Sequence, residues 1–159
     1  MAAALAGVVV VPGLGSSPAY SVGEGNAGRI HVEINRPEDA AGLERALQQH
    51  GIAADITYLP ELQICAPGRY TVVDRKVVGM QTEIGERTIS VTLPSATVRD
   101  GETFVLTWSV LPMSDKDISA GGLSSGLGTK TRDGFRTTVD FNVAIGPVKP
   151  CEPVSATPP

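Results

Sequence analysis

The sequence predicts an α+β domain: a mostly antiparallel β-sheet with one main helix, laid out as a strand–helix–strand unit followed by β-hairpins. Three observations carry this reading. Between Arg29 and Tyr58 the apolar residues alternate, then recur at helical spacing, then alternate again. From Met80 to Val110 the apolar runs have period two and are broken by turn residues. The longest alternating run, Phe135 to Ile145, sets Arg136, Thr138, Asp140 and Asn142 on its polar face, as in a half-buried antiparallel strand.

Met1 to Val11 is a single apolar run, and the first charge in the chain is Glu24. The run is shorter than the roughly 20 residues that span a bilayer, and it lacks the basic start of a signal peptide. Two readings stand. It is the outer part of a transmembrane helix or signal peptide, or Val8 to Val11 is a buried strand. The segment Pro12 to Pro18, rich in proline, glycine and serine, favours the first. Residues 1–19 are therefore expected to be an apolar membrane or signal remnant plus linker, residues 20–151 the folded domain, and residues 152–159 a disordered proline-rich tail.

Gly23-Glu24-Gly25-Asn26-Ala27-Gly28 matches the dinucleotide pattern G-x-G-x-x-G. That mechanism needs the loop to open a helix whose N-terminus holds a pyrophosphate. Here it opens a strand, so it is expected to be a flexible lead-in and turn. In the strand that follows, Ile30, Val32 and Ile34 share one face. Pro37 suits the first helical position, with Glu38 and Asp39 near the positive end of the dipole. Ala40, Leu43 and Leu47, widened by Ala46, form the apolar stripe of a helix over residues 37–50, and Gly51 fits a left-handed C-terminal cap. Ile52, Ala54, Ile56 and Tyr58 then alternate as a second strand.

A weak strand is expected at Tyr70 to Asp74. Met80, Thr82 and Ile84 pair with Ile89, Val91 and Leu93 across a two-residue turn at Gly85-Glu86, and Pro94 ends that hairpin. Asp100-Gly101 turns the chain into a strand with Phe104, Leu106, Trp108 and Val110 on one face; Trp108 is expected in the core. Residues 112–134, with their run of glycine and serine, are expected to be the least ordered interior stretch.

Composition excludes some functions. A net charge of -4 and 4% aromatic residues leave neither a basic grip nor a stacking surface for nucleic acid. Gly122-Leu123-Ser124-Ser125-Gly126 matches G-x-S-x-G but has no strand before it or helix after it, and both histidines, His31 and His50, precede the serine. His31 falls on the polar face of a strand and His50 in a last helical turn. Asp115-Lys116-Asp117 has a lysine between its acids and no further acidic ligand nearby, so it suits a solvated loop better than a calcium site. No catalytic residue, cofactor-binding residue or metal ligand is assigned. The two cysteines, Cys65 and Cys151, have no zinc-ligand spacing. They are either a disulfide formed in an oxidising compartment or two buried thiols, and the character of the N-terminus favours the disulfide.

The order Ala19-Tyr20, Arg29 to Asn35, Asp39-Ala40-Ala41-Gly42-Leu43, Gly51-Ile52, Thr57-Tyr58-Leu59-Pro60 and Cys65 resembles a group of uncharacterised actinobacterial proteins. The likeness continues at Leu93-Pro94, Asp100-Gly101-Glu102 and Gly146-Pro147-Val148 to Cys151. Those proteins have a short cytoplasmic start, one transmembrane helix and an exported domain. The resemblance implies single-pass attachment and export, supports a Cys65–Cys151 bridge, and supplies no activity. The expected function is a membrane-tethered or exported extracytoplasmic interaction or sensing module. Its partner would be an unknown protein or envelope ligand, and its membrane contact would run through the N-terminal segment. The alternatives are a cell-envelope enzyme with a loop-built site and a purely structural envelope protein.

Overall fold

The computed structural model describes residues 17–60, 63–85, 88–112, 128–132 and 135–155. The Met1–Val11 run, Asp115, Asp117 and the Gly122–Gly126 motif lie outside them.

In chain order the elements are β1 (Tyr20–Glu24), a 3₁₀ turn (Asn26–Gly28), β2 (Ile30–Ile34), α1 (Ala40–Gln49), β3 (Ala54–Pro60), β4 (Gln63–Cys65) and β5 (Thr71–Val72). Then come β6 (Gln81–Ile84), β7 (Ile89–Leu93), β8 (Glu102–Pro112), β9 (Gly128–Arg132), β10 (Phe135–Ile145) and β11 (Pro153–Ser155). One antiparallel sheet has the order β1-β2-β7-β6. A second has the order β3-β8-β10-β5, with β9 beside the start of β10. Only β3 and β8 run parallel among the described pairs. A short ladder joins β11 to β4. The α+β architecture expected from the periodicity is the one observed, with the two strands flanking the helix in different sheets.

The helix begins three residues later than Pro37 suggests. Asp39 adopts a left-handed conformation, φ 53°, and its carboxylate accepts the Gly42 N–H at 3.0 Å. That bond satisfies one of the amides a helix start leaves without a partner, so Asp39 rather than Pro37 sets the boundary. At the other end Gly51 takes φ 74°, and Ile52 N–H returns to the Leu47 carbonyl at 3.0 Å, the expected glycine cap. The hairpin between β6 and β7 pairs Ile84 with Ile89 and is closed by Gly85 N–H donating to Thr88 O at 2.7 Å. Glu86, the second residue of the expected turn, lies outside the described residues.

The core forms between the two sheets. Ile30, Val32 and Ile34 of β2 and Ile89, Val91 and Leu93 of β7 face Phe104, Leu106 and Trp108 of β8. Leu43 and Leu47 of α1, both with no exposed surface, fill the side where the helix lies along β3 and β1. Each such side chain contributes on the order of 1.5–3 kcal/mol by leaving water.

The reverse face of the second sheet is more covered than the half-buried reading of its last strand expects, although Asp140 and Asn142 stay partly exposed. Val105, Thr107, Ser109, Thr138 and Ala144 are all buried. Part of the cover is the segment from β4 to Tyr70, stapled to the chain end by the Cys65–Cys151 disulfide, whose Cα atoms are 5.1 Å apart. Cys65 Sγ lies 3.6 Å from Thr107 Oγ1, and Tyr70 donates to Asp140. The expected weak strand at Tyr70–Asp74 is reduced to two residues. The expected disordered tail instead carries β11, whose Pro153 lies opposite Cys65, so the ordered domain runs past Cys151. Likewise Gly128–Arg132, inside the stretch expected to lack order, is a strand on β10.

Candidate functional site

Three chain reversals meet at one end of the sandwich. β1 passes through Glu24 and the 3₁₀ turn into β2, α1 stops at Gln49 and caps on Gly51, and β7 gives way at Pro94 to the connection toward β8. Between them lies a cleft of about 380 Å³. Ile30 and Ile52, both buried, form its floor, with Pro94 and Val98 beside them. Glu24, Gln49, His50 and Ser95 stand exposed at the rim.

The backbone around this cleft is unusual. Ala27 and Ala96 adopt positive φ, 61° and 64°; among the described residues only Asp39 shares this without being glycine. A left-handed alanine costs roughly 1–2 kcal/mol, because its Cβ approaches the following carbonyl. Ala96 lines the cleft, and Ala27 precedes Gly28, which also lines it.

The Pro94–Val98 wall is fixed from behind. Arg75 Nη2 donates to the Thr97 carbonyl at 2.7 Å, while Arg75 also makes a two-pronged pair with the Glu102 carboxylate. Glu102 accepts the Arg99 N–H at 3.0 Å as well. These bonds hold the Glu102 carboxyl below the usual carboxylate range.

At the opposite end of α1 a second polar cluster forms. The Tyr20 hydroxyl and Asp39 crowd the first helical turn so closely that a Cβ on Gly42 would run into both. Tyr58 packs edge-on against Trp108 with ring centres 6.0 Å apart. The Tyr58 hydroxyl and Trp108 Nε1 are buried without a hydrogen-bond partner. Burial, then the neighbouring Tyr20, Asp39 and Glu44, push the Tyr58 hydroxyl far up.

The residues weighed from the sequence fall as follows. Cys65 and Cys151 are joined, which resolves the two alternatives in favour of the disulfide. The glycine pattern opens a strand through a 3₁₀ turn and not a helix, so its geometry is not that of a pyrophosphate loop. His31 is exposed on β2, with Nδ1 3.1 Å from Thr92 Oγ1. His50 both caps α1 and stands at the cleft rim, a second placement its sequence context does not announce. Sequence reasoning missed the convergence of Glu24, His50 and Ser95, because it depends on which three turns share one end of the sandwich. Among the described residues no three His, Cys, Asp or Glu side chains gather to hold a metal, and no helix is long and apolar enough to cross a membrane.

Comparison with known proteins finds no matching family model, no matching characterised relative and no matching solved structure. The functional reading rests on the residues themselves. The cleft sets one carboxylate and one imidazole on an exposed rim beside the buried Ile30 and Ile52.

Proposed function

We infer that this chain is a membrane-tethered or exported module that recognises a protein or ligand on the extracytoplasmic side of the cell envelope. The observation that supports it most is the Cys65–Cys151 bridge, which uses every cysteine in the chain. Such bridges persist in oxidising compartments and are uncommon in the cytosol. The apolar run Met1–Val11 and the resemblance to actinobacterial single-pass proteins support the same location. Recognition is the reading taken because no hydrogen bond joins Glu24, His50 and Ser95 into a nucleophile–base pair among the described contacts.

Expression in an actinobacterial host as a fusion to a reporter that works only outside the cytoplasm tests the location. An active reporter, with cysteines that resist alkylation until reduced, is the expected result. An inactive reporter with both thiols open to alkylation in freshly broken cells overturns it. Capture of an envelope component by the exported chain, lost when the cleft rim is altered, is the corresponding test of recognition.

A further inference from the structure

The geometry points to a primary alkylammonium group on a short aliphatic stem as the ligand chemistry of the Glu24–His50–Ser95 cleft; this names a ligand class for the recognition module proposed above and rests on that reading. Three features carry it. Ile30, Ile52 and Val98 give part of the lining an aliphatic character that suits a short hydrocarbon stem. The rim carries one carboxylate, Glu24, and no lysine or arginine lines the cleft. The last turn of α1 ends at this cleft, and the carbonyl end of a helix favours positive charge. At about 380 Å³ the space lies at the small end of ligand clefts and admits such a group.

The head group is further restricted. No Phe, Tyr or Trp ring lines the cleft, so it has no cage for a quaternary ammonium, whose recognition relies on such ring faces. Glu24, Gln49 and Ser95, all in the lining, carry oxygens that can accept hydrogen bonds, which a primary ammonium with three N–H donors can use. The same chemistry occurs in a free aliphatic amine and in the lysine side chain of a polypeptide.

The test follows backbone amide NMR shifts of the full chain at low salt, titrated in parallel with n-butylammonium, n-butanol, butyrate and tetramethylammonium. Saturable shifts centred on Gly28, Gly51, Ser95 and Ala96 with n-butylammonium are expected, and weaker or no saturation with the other three. Because Glu24 is exposed, Glu24→Gln should weaken n-butylammonium roughly two- to fivefold, and added salt should do the same. Glu38→Gln, at the far end of the helix, should leave it unchanged, and the spectra themselves report whether each variant folds. A titration with lysine blocked at both its amino and carboxyl termini separates the sources: binding as tight as n-butylammonium or tighter assigns a polypeptide side chain, and failure to bind assigns a free amine. Equal affinity for n-butanol, unchanged affinity in Glu24→Gln, or absence of saturable shifts at the cleft overturns the proposal. None of these readings depends on where the protein resides, so the export test stands or falls separately.

Discussion

The Glu44 carboxylate of α1 accepts the backbone N–H of Ile56 at 2.8 Å, so a helix side chain occupies a hydrogen-bonding position on β3. β3 pairs with β8 alone among the described strands and is an edge. Unpaired edge amides are templates for association with another chain, and a carboxylate on one of them blocks that pairing. Removing it leaves a half-buried amide unsatisfied. Glu44→Ala should cost about 1–2 kcal/mol in denaturant unfolding, and Glu44→Gln, which keeps an oxygen acceptor, should cost less. Sedimentation should also show Glu44→Ala associating more readily with concentration than the parent chain.

The disulfide closes a loop with a sequence separation of 86. In the chain-entropy account this restricts the unfolded chain by about 4–5 kcal/mol. The double variant Cys65→Ser, Cys151→Ser should lose stability of that order, and its losses should begin locally. β11 and the Arg69 contacts to Asp55 and the Lys149 carbonyl lie next to the staple, so amide exchange there should rise before the β2 and β7 amides are affected.

Gly42→Ala reverses a common rule. Replacing a helical glycine by alanine ordinarily stabilises by roughly 1 kcal/mol. Here the new Cβ would meet the Asp39 carboxylate and the Tyr20 hydroxyl. The Asp39 cap must then give way, and the variant should be less stable than the parent chain. Calorimetry that shows a raised melting temperature instead would mean the first turn has room it is not seen to have.

Apolar periodicity discloses the parts of the fold that periodicity controls. β2, α1, the β6–β7 hairpin, β8 and β10 all follow from apolar spacing, because each must turn one face to a single core. What was not legible depends on pairing at a distance. β1 carries Gly23 near its end and reads as a lead-in, yet its backbone is claimed by β2 from Tyr20 opposite Ile34 to Glu24 opposite Ile30. β11 has no apolar alternation; it is ordered because the disulfide brings Pro153 opposite Cys65. Thr138 reads as a solvent-facing residue and is buried because a segment some 70 positions away in sequence folds beneath the sheet, where Tyr70 reaches Asp140. The cleft was illegible for the same reason: Glu24, His50 and Ser95 are ordinary residues until three turns coincide.

The three tyrosines all have hydroxyls held above their ordinary value of 10.0. Burial is the leading cause at each, followed by Asp39 at Tyr20, Tyr20 at Tyr58 and Asp140 at Tyr70. A raised folded value favours the folded state fully below the unfolded value, and this contribution is lost as pH rises through the folded values. Ultraviolet titration of the folded chain should therefore show each tyrosine less than half ionised at the ordinary value of 10.0, with Tyr58 ionising last. Tyr58→Phe should be neutral or stabilising by up to about 1 kcal/mol, because it removes a buried hydroxyl without a partner.

The acid limb should be set in part by Glu102. Its carboxyl lies below the ordinary value of 4.5, first because Arg75 donates to it and also because Arg99 N–H does. The unfolded chain takes up a proton at pH values where the folded chain still keeps the carboxylate. The stabilisation is complete above 4.5 and is lost as pH falls through the lower, folded value. Glu102→Gln should therefore be less stable than the parent chain at neutral pH, and the two unfolding curves should converge below 4.5. Because Arg75 ties Glu102 to the Thr97 carbonyl, loss of the charge should also loosen the cleft wall. Amide exchange at Thr97 and Val98 should rise in Glu102→Gln at neutral pH and in the parent chain only under acid conditions. Identical stability of the two proteins at neutral pH would show that the pair contributes nothing and that the wall is held by its backbone bonds alone.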